Sequence, residues 1–85
     1  MPEGWAAQCE QALSNLVAVV DAAGMTPRDL VKLTCYVVGD QDRETLYDAR
    51  RRLLPDAAPA ATVIGIASLA PGHLLEVEAI AARAD

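Results

Sequence analysis

The chain has 85 residues, 53% of them hydrophobic, and twelve Asp and Glu against seven Lys and Arg give a net charge of −5. Residues 1–85 therefore make a single domain, since domains run from about 50 to 250 residues, and the acidic balance excludes a nucleic-acid partner, which would demand concentrated positive charge. A domain this small buries only about 60–65% of its unfolded surface, so oligomerisation is expected to supply the rest.

The start, Met1-Pro2-Glu3-Gly4-Trp5, has neither the basic nor the apolar region of a secretory signal. From Trp5 to Ala23 the residues Trp5, Cys9, Ala12, Leu13, Leu16, Val19, Val20 and Ala23 recur at spacings of three and four. That pattern predicts a helix of about five turns with one apolar stripe, and Gln8, Gln11, Ser14, Asn15 and Asp21 fall on its polar remainder. Gly24 suits the left-handed residue that ends such a helix.

After a linker with Thr26 and Pro27, Leu30–Val38 alternates as a strand, with Val31, Leu33, Cys35 and Val37 on one face. The other face carries Lys32, Thr34 and Tyr36, a mixture that suits protein or a pocket better than bulk water. A second helix is predicted from about Gln41, capped by Asp40 or Asp42 and stopped by Pro55, with Leu46, Ala49, Leu53 and Leu54 inward. Its early acids and late bases follow the helix dipole. Arg50-Arg51-Arg52 lies beside Asp48 with no aromatic platform, so it reads as a solvated helix face or a donor to salt bridges between subunits.

Two further alternating runs, Ala61–Leu69 and Leu74–Ala81, flank the turn Ala70-Pro71-Gly72-His73 and predict a hairpin. On the last strand Leu75, Val77, Ala79 and Ala81 should face the helices, and Glu76, Glu78 and Ile80 the other way. The order α-β-α-β-β, with a parallel β-α-β crossover in the middle, gives an α+β two-layer sandwich with both helices on one face of the sheet. The expected core is Val31, Leu33, Cys35, Ile64, Ile66, Val77 and Ala79; the expected bare face, bearing Lys32, Tyr36, Val63 and Ile80, is to be covered by another subunit.

Cys9 and Cys35 lie on a helix and a strand without any Cys-x-x-Cys or Cys/His cluster, and His73, the single histidine, sits in a turn, so no metal site is expected. The nearly uncharged stretch Ala57–Leu75 is interrupted by Pro59, Gly65, Pro71 and Gly72, too soon for a membrane span. A cytoplasmic protein is the expectation.

Asn15-Leu16, Ala22-Ala23-Gly24, Asp29-Leu30-Val31-Lys32-Leu33-Thr34, Pro59-Ala60-Ala61-Thr62 and Leu75-Glu76-Val77-Glu78-Ala79-Ile80-Ala81 follow one another at characteristic spacings. Together these pieces resemble the Rid (reactive intermediate deaminase, YjgF-like) family, whose older label is endoribonuclease L-PSP, over about Ala6 to Arg83. The resemblance implies a chorismate mutase-like fold, here truncated, because the family's N-terminal strands have no counterpart in the sequence. It also implies a homotrimer with a small-molecule cleft at each subunit boundary, no cofactor, and hydrolysis of enamines and imines such as 2-aminoacrylate to a keto acid and ammonia.

Residue by residue, the resemblance places the family's site glutamate, which helps hold the attacking water, on Glu76. The family's substrate-binding arginine, which follows Pro-Ala, falls on Ala61, and Tyr47 stands where an asparagine is usual. Val63 and Gly65 complete the expected cleft, and Arg50, one turn beyond Tyr47, is a candidate for replacing the lost charge. Two readings stay open: a Rid-family protein that is at best a weak enamine/imine deaminase, or a non-catalytic oligomeric assembly or ligand-binding module. Ribonuclease activity has no support, since an acidic chain with one turn histidine lacks both an acid/base pair and a phosphate-binding surface.

Overall fold

The computed structural model describes residues 3–83. In chain order it contains α1 (Trp5–Ala22), a single 3-10 turn (Pro27–Asp29), β1 (Leu30–Val38), α2 (Arg43–Leu53), β2 (Ala60–Ile66) and β3 (Leu75–Ala81). Local signals set the helix limits. Gly24, at φ 76°, follows α1 in the left-handed region that an L side chain avoids. Asp42 caps α2 by accepting the Glu44 N–H at 3.0 Å. The linker is ordered too: the Asp29 carboxylate accepts the Thr26 N–H at 2.8 Å and closes the turn that leads into β1.

The strands lie in the order β2-β1-β3, with β1 parallel to β2 and antiparallel to β3. The predicted hairpin is therefore absent, and β2 and β3 occupy opposite edges. Putting β1 in the centre pairs both edges of the strand richest in buried apolar side chains. Residues 67–74 then have only to cross two strand spacings, about 10 Å, to reach the far side.

Both helices cover one face of this sheet. Cys9, Leu13 and Val20 from α1, with Leu46, Ala49 and Leu54 from α2 and its end, form one buried cluster with Leu30, Leu33, Cys35, Val37 and Leu75. Burial of this apolar set, at about 25 cal/mol per Å², is what holds the two layers together. Gln8, expected on the polar side of α1, is buried within the same interface. Its side chain donates through Nε2 to the Gly72 carbonyl at 2.7 Å and accepts the Leu74 N–H at Oε1, also at 2.7 Å.

Three expected core assignments are corrected: Val31, Ile64 and Ile66, the last on the same uncovered face of β2 as Ile64 and outside the core cluster. Val31 is 51% exposed whereas Leu30 is only 4% exposed, because the β1–β3 register shifts between Leu30 and Lys32. An extra residue there reverses the alternation upstream of it. On β2 the parallel register sets Ala61, Val63 and Gly65 beside Leu33, Cys35 and Val37, so these three take the helix side. Val63 packs against the core, and Ile64, expected inside, is 40% exposed. On β3 the expectation holds, with Leu75, Val77 and Ala79 opposite Val37, Cys35 and Leu33.

The uncovered sheet face thus carries Tyr36, Ile64 and Ile80, interspersed with Lys32, Glu76 and Glu78. The Tyr36 hydroxyl donates to the Glu78 carboxylate at 3.3 Å across the strands. Among the described residues no helix is long and apolar enough to cross a membrane.

Candidate functional site

The last turns of α2 run past the start of β2. There Tyr47 and Arg50 meet Ala61, Thr62 and Val63 over a floor of Leu13, Leu33, Cys35 and Leu46. The crevice they enclose is about 10 Å³, room for roughly one water. It adjoins an open depression of about 370 Å³ bounded by Tyr47, Arg50, Arg51, Leu54, Pro55 and Ala57. Tyr47 and Arg50 belong to both spaces. Gly65, farther along the same face of β2, lies outside the crevice, and a side chain there would meet nothing within 4 Å.

The three consecutive arginines of α2 are not equivalent. Arg52 Nη2 lies 3.0 Å from Glu10 and its Nε 3.2 Å from Asp48, and Arg51 stands 3.8 Å from Glu44. The Arg50 guanidinium makes no hydrogen bond or ion pair among the described residues. Arg43, two turns earlier, has Nη1 buried with no partner among them. Burial pushes the Cys35 thiol up, while the Arg50 and Arg43 guanidiniums pull it down. Burial also pushes the Cys9 thiol up, to about 11, helped by negative potential from Cys35 and Asp42. Neither sulfur is therefore a thiolate nucleophile at neutral pH.

Glu76 stands elsewhere. It lies on the edge strand β3, exposed, on the uncovered face opposite Tyr36. It also borders a groove of about 560 Å³ between the free edge of β3 and α1, where Asn15, Leu16, Val19 and His73 contribute walls. Within one chain the structure thus brings together Tyr47, Arg50, Ala61 and Val63 at the β2 edge, and leaves Glu76 at the β3 edge. Thr62 in the crevice and Asn15 and His73 in the groove were not singled out from sequence. Asn15 and Thr62 did sit inside the recurring pieces, which was the available signal; His73 had none beyond its place in a turn.

The model of the endoribonuclease L-PSP family matches residues 1–83. The chain belongs to this family, the Rid/YjgF proteins. A 2-iminobutanoate/2-iminopropanoate deaminase of Escherichia coli K12 is 36% identical over 86 residues, covering 98% of this chain and 67% of that protein. The deaminase of the same name from Bos taurus is 31% identical and covers 98% of this chain but 61% of its own length. The crystal structure of E. coli TdcF with bound serine matches 99% of this chain and 68% of that one with a TM-score of 0.90 at 29% identity. The Rid chain described here therefore spans about three-fifths to two-thirds of the length of these relatives. Its two helices and mixed three-stranded sheet are part of the Rid/YjgF fold.

Proposed function

We propose that this Rid-family chain is a small-molecule protein whose cleft lies at a boundary between subunits of a cytoplasmic homotrimer, and that it is at best a weak enamine/imine deaminase. Membership of a family whose relatives are named deaminases supports the chemical class. The observation that carries the intersubunit reading is the placement of Glu76 on one sheet edge and of Tyr47, Ala61 and Val63 at the other. In this reading Glu76 reaches the crevice from a second copy of the chain.

The chemistry is hydrolysis. Water adds to the imine carbon, the C–N bond of the resulting carbinolamine breaks, and ammonia leaves with the keto acid as the other product. A carboxylate such as Glu76 orients the attacking water and accepts its proton. A cation must hold the substrate carboxylate so that the carbon meets that water. Ala61, at the position of the family's arginine, offers a methyl group instead. Loss of a charge-assisted bidentate contact costs about 2–4 kcal/mol, or roughly 30- to 1000-fold in rate.

The test is keto acid release from enzymatically generated 2-aminoacrylate, corrected for spontaneous hydrolysis. Ala61→Arg is expected to raise kcat/KM at least tenfold, about 1.4 kcal/mol, and Ala61→Arg/Glu76→Ala to abolish the gain. Robust turnover by the native chain would overturn the lost-clamp reading. Inactivity of both the native chain and Ala61→Arg would favour the assembly or ligand-binding module.

A further inference from the structure

We propose that Arg50, with the Tyr47 hydroxyl one turn before it, binds the carboxylate of a small 2-oxo or 2-imino acid in the depression between the end of α2 and the Pro55–Ala57 segment. The assignment rests on the small-molecule reading above and gives it a cation within this chain. Three observations carry it.

First, among the described residues Arg50 is the member of its run left without a carboxylate: Glu10, Asp48 and Glu44 lie beside Arg51 and Arg52. A half-buried guanidinium beside Leu54 and Pro55 has donors to fill and apolar walls that strengthen whatever fills them. Its planar fork suits a carboxylate. Second, the spacing of Tyr47 and Arg50 puts both on one helix face, and both border the depression and the inner crevice. An acid whose carboxylate met them from the depression would have its next carbon directed toward Ala61, where a methyl leaves the approach free of charge and bulk. Third, the potential is right. Two turns earlier on α2, Arg43 Nη1 is buried with no partner among the described residues, and both Arg43 and Arg50 act on Cys35 beneath the crevice.

A helix-dipole role alone would also place a base in the last turn of α2. Arg51 and Arg52 already serve it. The two roles differ in what they predict: a dipole role moves stability and leaves ligand affinity alone.

The experiment is a titration of the native chain with pyruvate, followed by backbone amide shifts and calorimetry, with uncharged pyruvamide as the comparison. Arg50→Gln, Arg50→Lys, Arg52→Gln and Tyr47→Phe are tested beside it, each first shown by circular dichroism to be folded. The expected result is pyruvate-dependent shifts confined to the surroundings of Tyr47, Arg50, Leu54, Ala57 and Ala61, with none from pyruvamide. Arg50→Gln should weaken pyruvate at least tenfold, Arg50→Lys should recover part of the loss, and Arg52→Gln, which removes an equal charge outside the depression, should stay within twofold of native. Equal affinity of the native chain and a folded Arg50→Gln, shifts centred elsewhere, or no saturable pyruvate binding would each overturn the assignment. Binding is read without turnover, so an inactive chain that holds pyruvate through Arg50 defeats the deaminase reading and leaves this one standing. Deaminase activity indifferent to Arg50→Gln does the reverse.

Discussion

Gln8 joins parts of the chain more than sixty residues apart, and Gln8→Ala measures what that joint contributes. The side chain is 2% exposed and makes two 2.7 Å hydrogen bonds, to the Gly72 carbonyl and from the Leu74 N–H. Truncation leaves both backbone groups without their partner. Gly72 is exposed, so its carbonyl turns to water at little cost; Leu74 is half-buried, and its stranded N–H costs about 1–3 kcal/mol. With the packing of the lost methylenes added, and some collapse of the loop allowed, the loss is about 2–3 kcal/mol. At about 4–8 °C per kcal/mol for a domain of this size, Tm should fall by about 10–20 °C. The assay is reversible urea and thermal unfolding followed by circular dichroism at fixed protein concentration. Gln8→Glu sharpens it. A carboxylate still accepts from Leu74 but repels the Gly72 carbonyl, so its folded pKa is raised above the unfolded value of about 4.3. Its stabilising contribution is then fully present below that pH and lost as pH rises through the folded value. A Gln8→Ala penalty under about 0.5 kcal/mol, or a Gln8→Glu penalty that ignores pH between about 3.5 and 7, would refute the role given to these bonds.

Leu33, 1% exposed at the centre of β1, should cost about 2–4 kcal/mol on truncation to Ala, and a loss below about 1 kcal/mol in denaturation would contradict its place in the core. The exposed Ile64 and Ile80 on the uncovered sheet face predict an oligomer by sedimentation, dissociated by Ile80→Lys; a soluble native monomer at micromolar concentration would remove the intersubunit cleft. The Asp42 carboxyl is held below its usual range by the Thr45 hydroxyl and by backbone N–H groups, against the opposing effect of burial. Its cap therefore stabilises above the unfolded pKa of about 3.9 and is lost as pH falls through the lower folded value; Asp42→Ala should flatten the acid limb of the stability profile. The Cys9 and Cys35 thiols, both raised by burial, should resist alkylation at pH 8 in the native chain and react in denaturant, and rapid native labelling would show that the interface they occupy is open.

What was legible in the sequence divides by the range of the interaction. Most of the α1 stripe, the Asp42 cap and Gly24 are decided within a few residues and appear where spacing placed them; Val19, expected on the stripe, is 66% exposed. The phase of β2 is different: Val63, Ile64 and Ile66 alternate equally well either way, and only the register of Ala61 on Leu33 chooses the inner face. Val31 reads as a core residue until the irregularity beside it is known, and that irregularity belongs to the pairing with β3. Gln8 looks polar and outward because its partners are at Gly72 and Leu74. The candidate site divides in the same way. Tyr47, Ala61 and Val63 come together because α2 leads into β2, whereas Glu76, which the resemblance assigns to a cleft between subunits, lies on the opposite edge strand. Arg50 could be named as a cation but not distinguished from its neighbours, since Glu10, which occupies Arg52, lies on the other helix.

The β2-β1-β3 order leaves the sheet open-ended, with a row of backbone donors and acceptors along the outer side of each outer strand. Such a sheet can be widened by whole strands in the manner of planks laid beside a finished floor, because strands added at an edge extend the sheet without displacing the helices already packed on it. Chain length and architecture are thereby uncoupled. A protein half as long again can superimpose on nearly all of this one, as E. coli TdcF does. The helix-covered core around Leu33 and Val37 is complete without any such addition.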